Sequence, residues 1–95
     1  MNIIISKSPK PLKKFVATIN GEKDIYFGAA GFQDYTIHKD DERKERYIKL
    51  HEKREKWQDP LTPGFYSRWL LWNKKTLEES INDINERFNL NARLK

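Results

Sequence analysis

Residues 13–27 read KKFVATINGEKDIYF and contain two β-favouring runs on either side of a turn signal. The runs are Lys13–Ile19 and Glu22–Phe27, and the dipeptide Asn20-Gly21 lies between them. β-Branched and aromatic residues favour strands, and Asn-Gly is the strongest short signal for a β-hairpin. This part of the chain therefore predicts two antiparallel strands joined by a tight turn.

Two registers are open to this hairpin. A two-residue turn would pair Val16 with Ile25 and place Phe15 across from Tyr26. A three-residue loop with Gly21 in the left-handed conformation would instead gather the apolar residues on one face of the hairpin. We prefer the three-residue loop because it places the apolar residues on one face, whereas a slip of one residue would move a strand's side chains to the other face. In that register the shared face contains Phe15, Ala17, Ile25 and Phe27.

Residues 1–12 are predicted to form a basic N-terminal arm or an edge strand. Ile3, Ile4 and Ile5 are strongly β-favouring, but Pro9 and Pro11 stop the run from continuing into a ladder. The sequence leaves open whether this segment pairs within its own sheet or with a strand of another chain.

The middle of the chain predicts an extended segment followed by a helix. Residues 32–38 show a loose alternation of apolar and polar side chains, which suits an extended segment packed on the hairpin. Asp40 or Asp41 is a suitable N-cap for a helix that runs to about Trp57.

Two further helices are predicted beyond a rigid, proline-rich connection. Thr62 suits the cap, and Pro63 the first position, of a short helix that carries residues 65–72. Thr76 and Glu79 have the spacing of a capping box, and they open a helix that Asn89 is a plausible residue to end. We expect residues 91–95 to form a frayed basic tail.

These elements predict an α+β fold. The expected order is an N-terminal β-hairpin, possibly with a third strand, followed by three α-helices. The expected division is a basic arm or edge strand at residues 1–12, a single domain at residues 13–90 and a C-terminal tail at residues 91–95.

Positive charge predicts an anionic partner. The chain has 19 Lys and Arg against 14 Asp and Glu, which gives a net charge of +5. Such an excess suits the phosphate backbone of a nucleic acid or an acidic protein surface. The residues predicted to contact this partner are Lys7, Lys10, Lys13, Lys14, Arg43, Lys44, Arg46, Arg68, Lys74 and Lys75.

Residues 65–75 interleave four aromatic rings with three cations, a combination that can stack bases and bind phosphates. However, Phe65, Trp69 and Trp72 are also spaced as one buried face of a helix. The sequence alone does not decide whether Trp69 and Trp72 belong to the core or to an interface.

No constellation of residues indicates catalysis. Cysteine is absent, and His38 and His51 are the only histidines, which is too few for a zinc site. Carboxylates at Asp34, Asp40 and Asp41 suit helix caps better than a metal site or a nuclease centre. We therefore expect no enzymatic activity, no metal or other cofactor, and no small-molecule substrate.

The expected location is intracellular. The first residues are too short an apolar run for a signal peptide, and no run approaches the roughly 20 residues of a membrane helix. We therefore expect no membrane partner, and a place in the cytoplasm, in the nucleus or inside a particle.

Several short motifs together resemble a known family. The motifs are Phe27-Gly28-Ala29, the stretch from Tyr35 to Asp40, Arg43, Arg46-Tyr47, Trp57, the stretch from Gly64 to Lys74 and Arg87-Phe88. With them the chain resembles a family of small basic proteins of nucleocytoplasmic large DNA viruses, the giant viruses. The resemblance covers about two thirds of the chain, and Ser-Arg-Trp-Leu-Leu-Trp-Asn-Lys at residues 67–74 is its most specific part.

This resemblance implies a viral protein located in the virion or in infected host cells, and it brings no catalytic residues with it. The function that we expect is that of a non-enzymatic structural or interaction protein, such as a minor capsid protein or another virion component. The alternative is a nucleic-acid-binding protein that contacts the phosphate backbone through its basic arm and helices.

Overall fold

The structure, a computed structural model, describes residues 1–95 and interleaves four strands with four α-helices. The strands are β1 (Asn2–Lys7), β2 (Lys13–Ile19), β3 (Lys23–Ala29) and β4 (Asn91–Leu94). The helices are α1 (Tyr35–His38), α2 (Asp41–His51), α3 (Pro63–Tyr66) and α4 (Leu77–Phe88). A single π-helical turn, Ser67–Leu71, continues directly from α3.

The four strands form one mixed sheet in the order β3-β2-β1-β4. Strand β1 is antiparallel to β2 and parallel to β4, so the last strand of the chain lies beside the first. The predicted order of a hairpin followed by three helices is therefore wrong, because the chain returns to the sheet after its last helix.

The hairpin itself has the preferred register. Phe15 pairs with Phe27, Ala17 with Ile25 and Ile19 with Lys23, which leaves a three-residue loop. Gly21 has a φ of +71°, in the left-handed region where a residue without Cβ is favoured. The predicted register, which places Phe15, Ala17, Ile25 and Phe27 on one face, is confirmed.

The N-terminal segment is an inner strand, and neither a free arm nor an edge. Ile3 and Ile5 are fully buried, and β1 pairs with a strand of the same chain on each side. Burial of these two side chains on the helix-covered face stabilises this position, and the two prolines lie beyond the end of the strand. Both edges of β1 are thus occupied within the chain.

The predicted tail is also wrong, because residues 91–94 form the edge strand β4. The left-handed conformation of Asn89, with a φ of +54°, ends α4 and lets the chain turn back along β1. Ala92 is the only buried residue of this strand. The sequence of β4 therefore has no alternation of buried apolar residues from which a strand could be predicted.

Two predictions in the middle of the chain are wrong. Residues 35–38 are helical because the Asp34 carboxylate accepts the Thr36 N–H at 2.9 Å and caps α1. Helix α2 ends at His51 and does not reach Trp57. In a continuous helix Trp57 would lie ten positions beyond Tyr47, about 15 Å along the helix axis. Instead, the chain turns after His51, and the ring centroids of Tyr47 and Trp57 lie 6.2 Å apart.

The predicted caps of the later helices are confirmed. Thr62 accepts the N–H of Phe65 at the start of α3, and Thr76 accepts the N–H of Glu79 at the start of α4. The predicted helix from Pro63 to Trp72 is present as α3 followed by the π-helical turn, which ends at Leu71.

The core lies between one face of the sheet and the layer formed by α3, the π-helical turn and α4. Its largest fully buried side chains include Phe27, Phe65, Tyr66 and Leu70. Gly28 permits the close approach of the two layers, since a Cβ there would lie 2.9 Å from Leu71 Cδ1. No helix of the structure is both long and apolar enough to cross a membrane.

Candidate functional site

A cleft of about 810 Å³ opens between the sheet and the turns that follow α2. One wall comes from the ends of β2 and β3 and the loop to α1, and the other from residues 51–56 and 62–72. Four basic side chains line it, and we call it the basic cleft: Lys13, Lys14, Arg54 and Lys56.

Lys14 is the only one of these four cations that has a carboxylate partner. Its Nζ lies 2.7 Å from Asp34 Oδ2, and the Asp34 side chain is almost fully buried. Since Asp34 also caps α1, this ion pair ties the sheet to the first helix. A buried carboxylate without a partner is destabilising, so Lys14 is required to pair with Asp34. The charge of Lys14 is thereby neutralised.

The other three cations of the basic cleft, Lys13, Arg54 and Lys56, form no ion pair. All three are exposed. Their positive charge is therefore available to a ligand.

Stacked aromatic rings form the wall next to α2. The rings of Tyr47 and Trp72 are nearly parallel, at 3°, with their centroids 4.4 Å apart. His51 lies beside Tyr47 at 4.6 Å, and His38 lies beside Trp72 at 5.3 Å. Burial raises the pKa of the Tyr47 hydroxyl well above its usual value. The stack fastens α2, which has no fully buried residue, to the rest of the molecule.

The π-helical turn shapes the floor of the basic cleft. The Trp72 N–H donates to the Ser67 carbonyl at 3.1 Å, the wider i to i+5 spacing of a π-helix. Ser67, Leu71 and Trp72 all line the cleft. Single π turns are frequent at functional sites, where the inserted residue reorients its neighbours.

A smaller pocket of about 290 Å³ adjoins the basic cleft. Tyr47, His51 and Trp72 line both cavities, so the aromatic wall is shared between them. The smaller pocket adds two exposed cations, Arg43 and Arg46. We call the two cavities together the basic surface; its five cations without an ion pair are Lys13, Arg43, Arg46, Arg54 and Lys56.

Phe32 and Gln33 line the loop side of the cleft. The Phe32 side chain is 72% exposed, whereas the other aromatic rings of the cleft are buried or half-buried. Gln33 Oε1 accepts a hydrogen bond from Arg43 Nη1 at 3.3 Å. This bond connects the rim of the cleft to the first turn of α2.

Four of the ten predicted contact residues lie on the basic surface, namely Lys13, Lys14, Arg43 and Arg46. Arg68 lies near it but stacks on indole rings, with its guanidinium carbon 4.3 Å from the Trp69 centroid and 5.4 Å from that of Trp57. Burial lowers the pKa of Arg68, and its Nη1 donates to the Trp72 carbonyl at 2.8 Å. Arg68 therefore serves packing.

The remaining predicted residues are dispersed. Lys10 lies 4.0 Å from the ring centroid of Tyr26, and Lys44 lies 4.9 Å from that of Tyr35. Burial, followed by the nearby charge of Arg68, lowers the pKa of Lys44. The last three, Lys7, Lys74 and Lys75, are exposed and line neither cavity of the basic surface.

Sequence reasoning missed Phe32, Arg54 and Lys56. Arg54 and Lys56 lie on the predicted helix that runs to about Trp57, where charged residues usually only face solvent. Phe32 lies within the predicted extended segment. The place of Arg54 and Lys56 on the basic cleft depends on the end of α2 at His51. The local sequence has no proline or glycine that would mark this end. No group of three or more His, Cys, Asp or Glu side chains is placed to hold a metal ion.

Fold and site together define a small protein with a mixed four-stranded sheet and a basic, aromatic-walled cleft. Residues 3–51 match a family described as Family of unknown function (DUF5754), and the chain belongs to this family. No curated protein and no solved structure matches the chain. The matched residues run from β1 to the end of α2 and supply the sheet side of the cleft, whereas Arg54, Lys56 and Trp72 lie beyond them.

Proposed function

We propose that the protein is a non-enzymatic interaction protein that binds an anionic partner through its basic surface. The observation that carries this proposal is the set of five exposed cations without ion pairs around two connected cavities. The chain has 14 Asp and Glu side chains, yet only two of them pair with a lysine or an arginine, Asp34 with Lys14 and Asp83 with Arg87.

Concentrated positive charge inside a concave site favours anion binding. Low-dielectric walls focus the field of the cations and raise the local concentration of an oppositely charged ligand. Here those walls are the Tyr47–Trp72 stack and the buried sheet residue Phe27. The opposing charges in the cleft are Asp34, which Lys14 neutralises, and Glu55, which lies 3.9 Å from His51.

The proposal predicts that binding to a generic polyanion depends on the cations of the cleft. The test is calorimetric titration with heparin of the wild type and of a triple variant, Lys13→Ala, Arg54→Ala and Lys56→Ala. We expect the affinity of the triple variant to fall at least about tenfold. The slope of log K against log salt should also become shallower, by roughly one for each cation that no longer pairs with the ligand.

The matched control removes the same charge elsewhere, through Lys23→Ala, Lys74→Ala and Lys75→Ala, all exposed and outside the basic surface. Its affinity should fall by less than about threefold, because only the long-range field changes. Equal losses in the two triple variants would contradict a localised site.

The implied viral origin and virion role stay predictions. They come from the resemblance at residues 27–88, and the matching family carries no stated activity. A minor capsid or other virion protein should be present in stoichiometric amounts in purified particles. Mass spectrometry that finds the protein only in infected cytoplasm would contradict that role.

A further inference from the structure

We propose that the anionic partner is a single-stranded nucleic acid. This inference rests on the proposed function, since it names the ligand of the same basic surface. It depends on how cations and aromatic rings alternate across that surface.

The cations lie in two groups with aromatic rings between them. Lys13, Arg54 and Lys56 line the larger cavity, and Arg43 and Arg46 line the smaller one. The rings of Tyr47, His51 and Trp72 border both cavities. A chain that crosses from one group of cations to the other therefore passes over rings. Alternating charge and rings suit a ligand that alternates phosphates and bases.

Phe32 supplies a ring that the fold does not use. The other aromatic side chains of the cleft are stacked on one another or packed in the core, whereas Phe32 is 72% exposed. An exposed phenyl beside free cations offers a stacking platform, and a base can cover it without sequence preference because every base has a π face.

The shape of the surface favours a single strand over a duplex. Lys13, Arg54 and Lys56 line a cleft between two walls, whereas the phosphates of a duplex lie on the outside of a stiff, wide rod. A single strand is flexible and presents its bases, so it can enter the cleft.

The test is fluorescence anisotropy with a labelled oligothymidylate of about 12 residues, a length within the usual site size for single strands. Competitors are a duplex with the same number of phosphates, heparin and a polyglutamate peptide. We expect the oligothymidylate to bind in the micromolar range or tighter and at least about tenfold better than the duplex. Polyglutamate should compete poorly, because it brings charge without bases.

The decisive variant is Phe32→Ala. It should weaken oligothymidylate binding about tenfold, the loss of roughly one stacked base, and leave heparin binding unchanged. Ile37→Ala is the matched control, because Ile37 is also an exposed apolar side chain, at 55%, and it lines neither cavity. It should change neither affinity.

The outcomes separate the two proposals. If heparin binding depends on Lys13, Arg54 and Lys56 but Phe32→Ala has no effect on the oligothymidylate, the single-strand inference is overturned and the polyanion function stands. Binding of the duplex or of polyglutamate as tight as that of the single strand would overturn the inference in the same way. If no polyanion binds, both proposals fall.

Discussion

Asp83 links the π-helical turn to α4 through a small network of hydrogen bonds. The Nδ2 of the buried Asn73 donates to its carboxylate at 2.7 Å, and Arg87 Nε donates to it at 3.2 Å. The same Asn73 nitrogen also donates to the Trp69 carbonyl at 3.2 Å. Burial by itself would raise the pKa of Asp83, but the hydrogen bonds from Asn73 and Arg87 outweigh it and hold the pKa below the usual value.

This network predicts an acid-dependent part of the stability. A carboxyl whose pKa is depressed in the folded state stabilises the fold above its unfolded pKa, and that stability is lost as the pH falls through the folded value. We expect Asp83→Asn to lower the free energy of unfolding at pH 7, and the difference from wild type to shrink as the pH falls below the ordinary value of 3.8. Urea unfolding at a series of pH values measures this difference.

The control for this series is Glu86→Gln, an exposed carboxylate on the same helix. Its difference from wild type should stay small throughout. A stability difference for Asp83→Asn that is constant down to about pH 2 would show that Asp83 acts through packing and not through its charge.

The cations that were predicted to contact a partner lie on the basic surface only where no aromatic ring within the chain binds them. Arg43 and Arg46 lie at the basic surface because they are exposed on α2. Arg68 and Lys44 were also predicted, but aromatic rings hold them: Trp57 and the adjacent Trp69 contact Arg68, and Tyr35 contacts Lys44. Cation–π contacts of this kind depend on tertiary structure, and sequence spacing does not reveal them.

At the scale of elements, strand β4 shows how the sheet closes an exposed edge. The N–H of Ala92 donates to Asn85 Oδ1 at 2.7 Å, and Asn85 Nδ2 donates to the Ala92 carbonyl at 3.0 Å. The amide of Asn85 on α4 thus makes the two hydrogen bonds that a neighbouring strand would make. It blocks pairing with another chain, which is a hazard of an unprotected edge.

Asn85→Ala should therefore destabilise the fold and open this edge. The loss of two hydrogen bonds predicts a decrease of about 1–3 kcal/mol in the free energy of unfolding. We also expect concentration-dependent association. Denaturant unfolding measures the first effect, and analytical ultracentrifugation the second. Asn82→Ala, an exposed asparagine on the same helix, is the control. A monomeric Asn85→Ala protein of unchanged stability would refute this role.

Elements with local signals could be predicted, and those that depend on distant partners could not. The hairpin turn at Asn20-Gly21 and the caps at Thr62 and Thr76 depend only on neighbouring residues. The inner position of β1 requires β4, whose sequence has a single buried residue, Ala92. The sequence therefore predicts the pieces of the sheet better than their order.

On the scale of the whole molecule, the basic cleft is assembled from two parts of the chain. The sheet and its loop provide one wall, and the segments after α2 provide the other. The Tyr47–Trp72 stack holds α2 against the second of these walls. Of the unpaired cations of the cleft, Lys13 is dozens of residues away from Arg54 and Lys56 in the sequence. Arg54 and Lys56 lie in a turn that the sequence does not mark. For this reason the cleft was not visible in the sequence, whereas its general positive charge was.

The most direct measurement is a nuclear magnetic resonance titration of the ¹⁵N-labelled protein with the oligothymidylate. Binding at the basic surface predicts chemical shift changes at the amides of Lys13, Phe32 and Lys56 that saturate together and disappear at high salt. Changes confined to the outer face of the sheet, at Ile4 and Thr18, or no changes at low salt, would contradict the assignment of the cleft as the binding site.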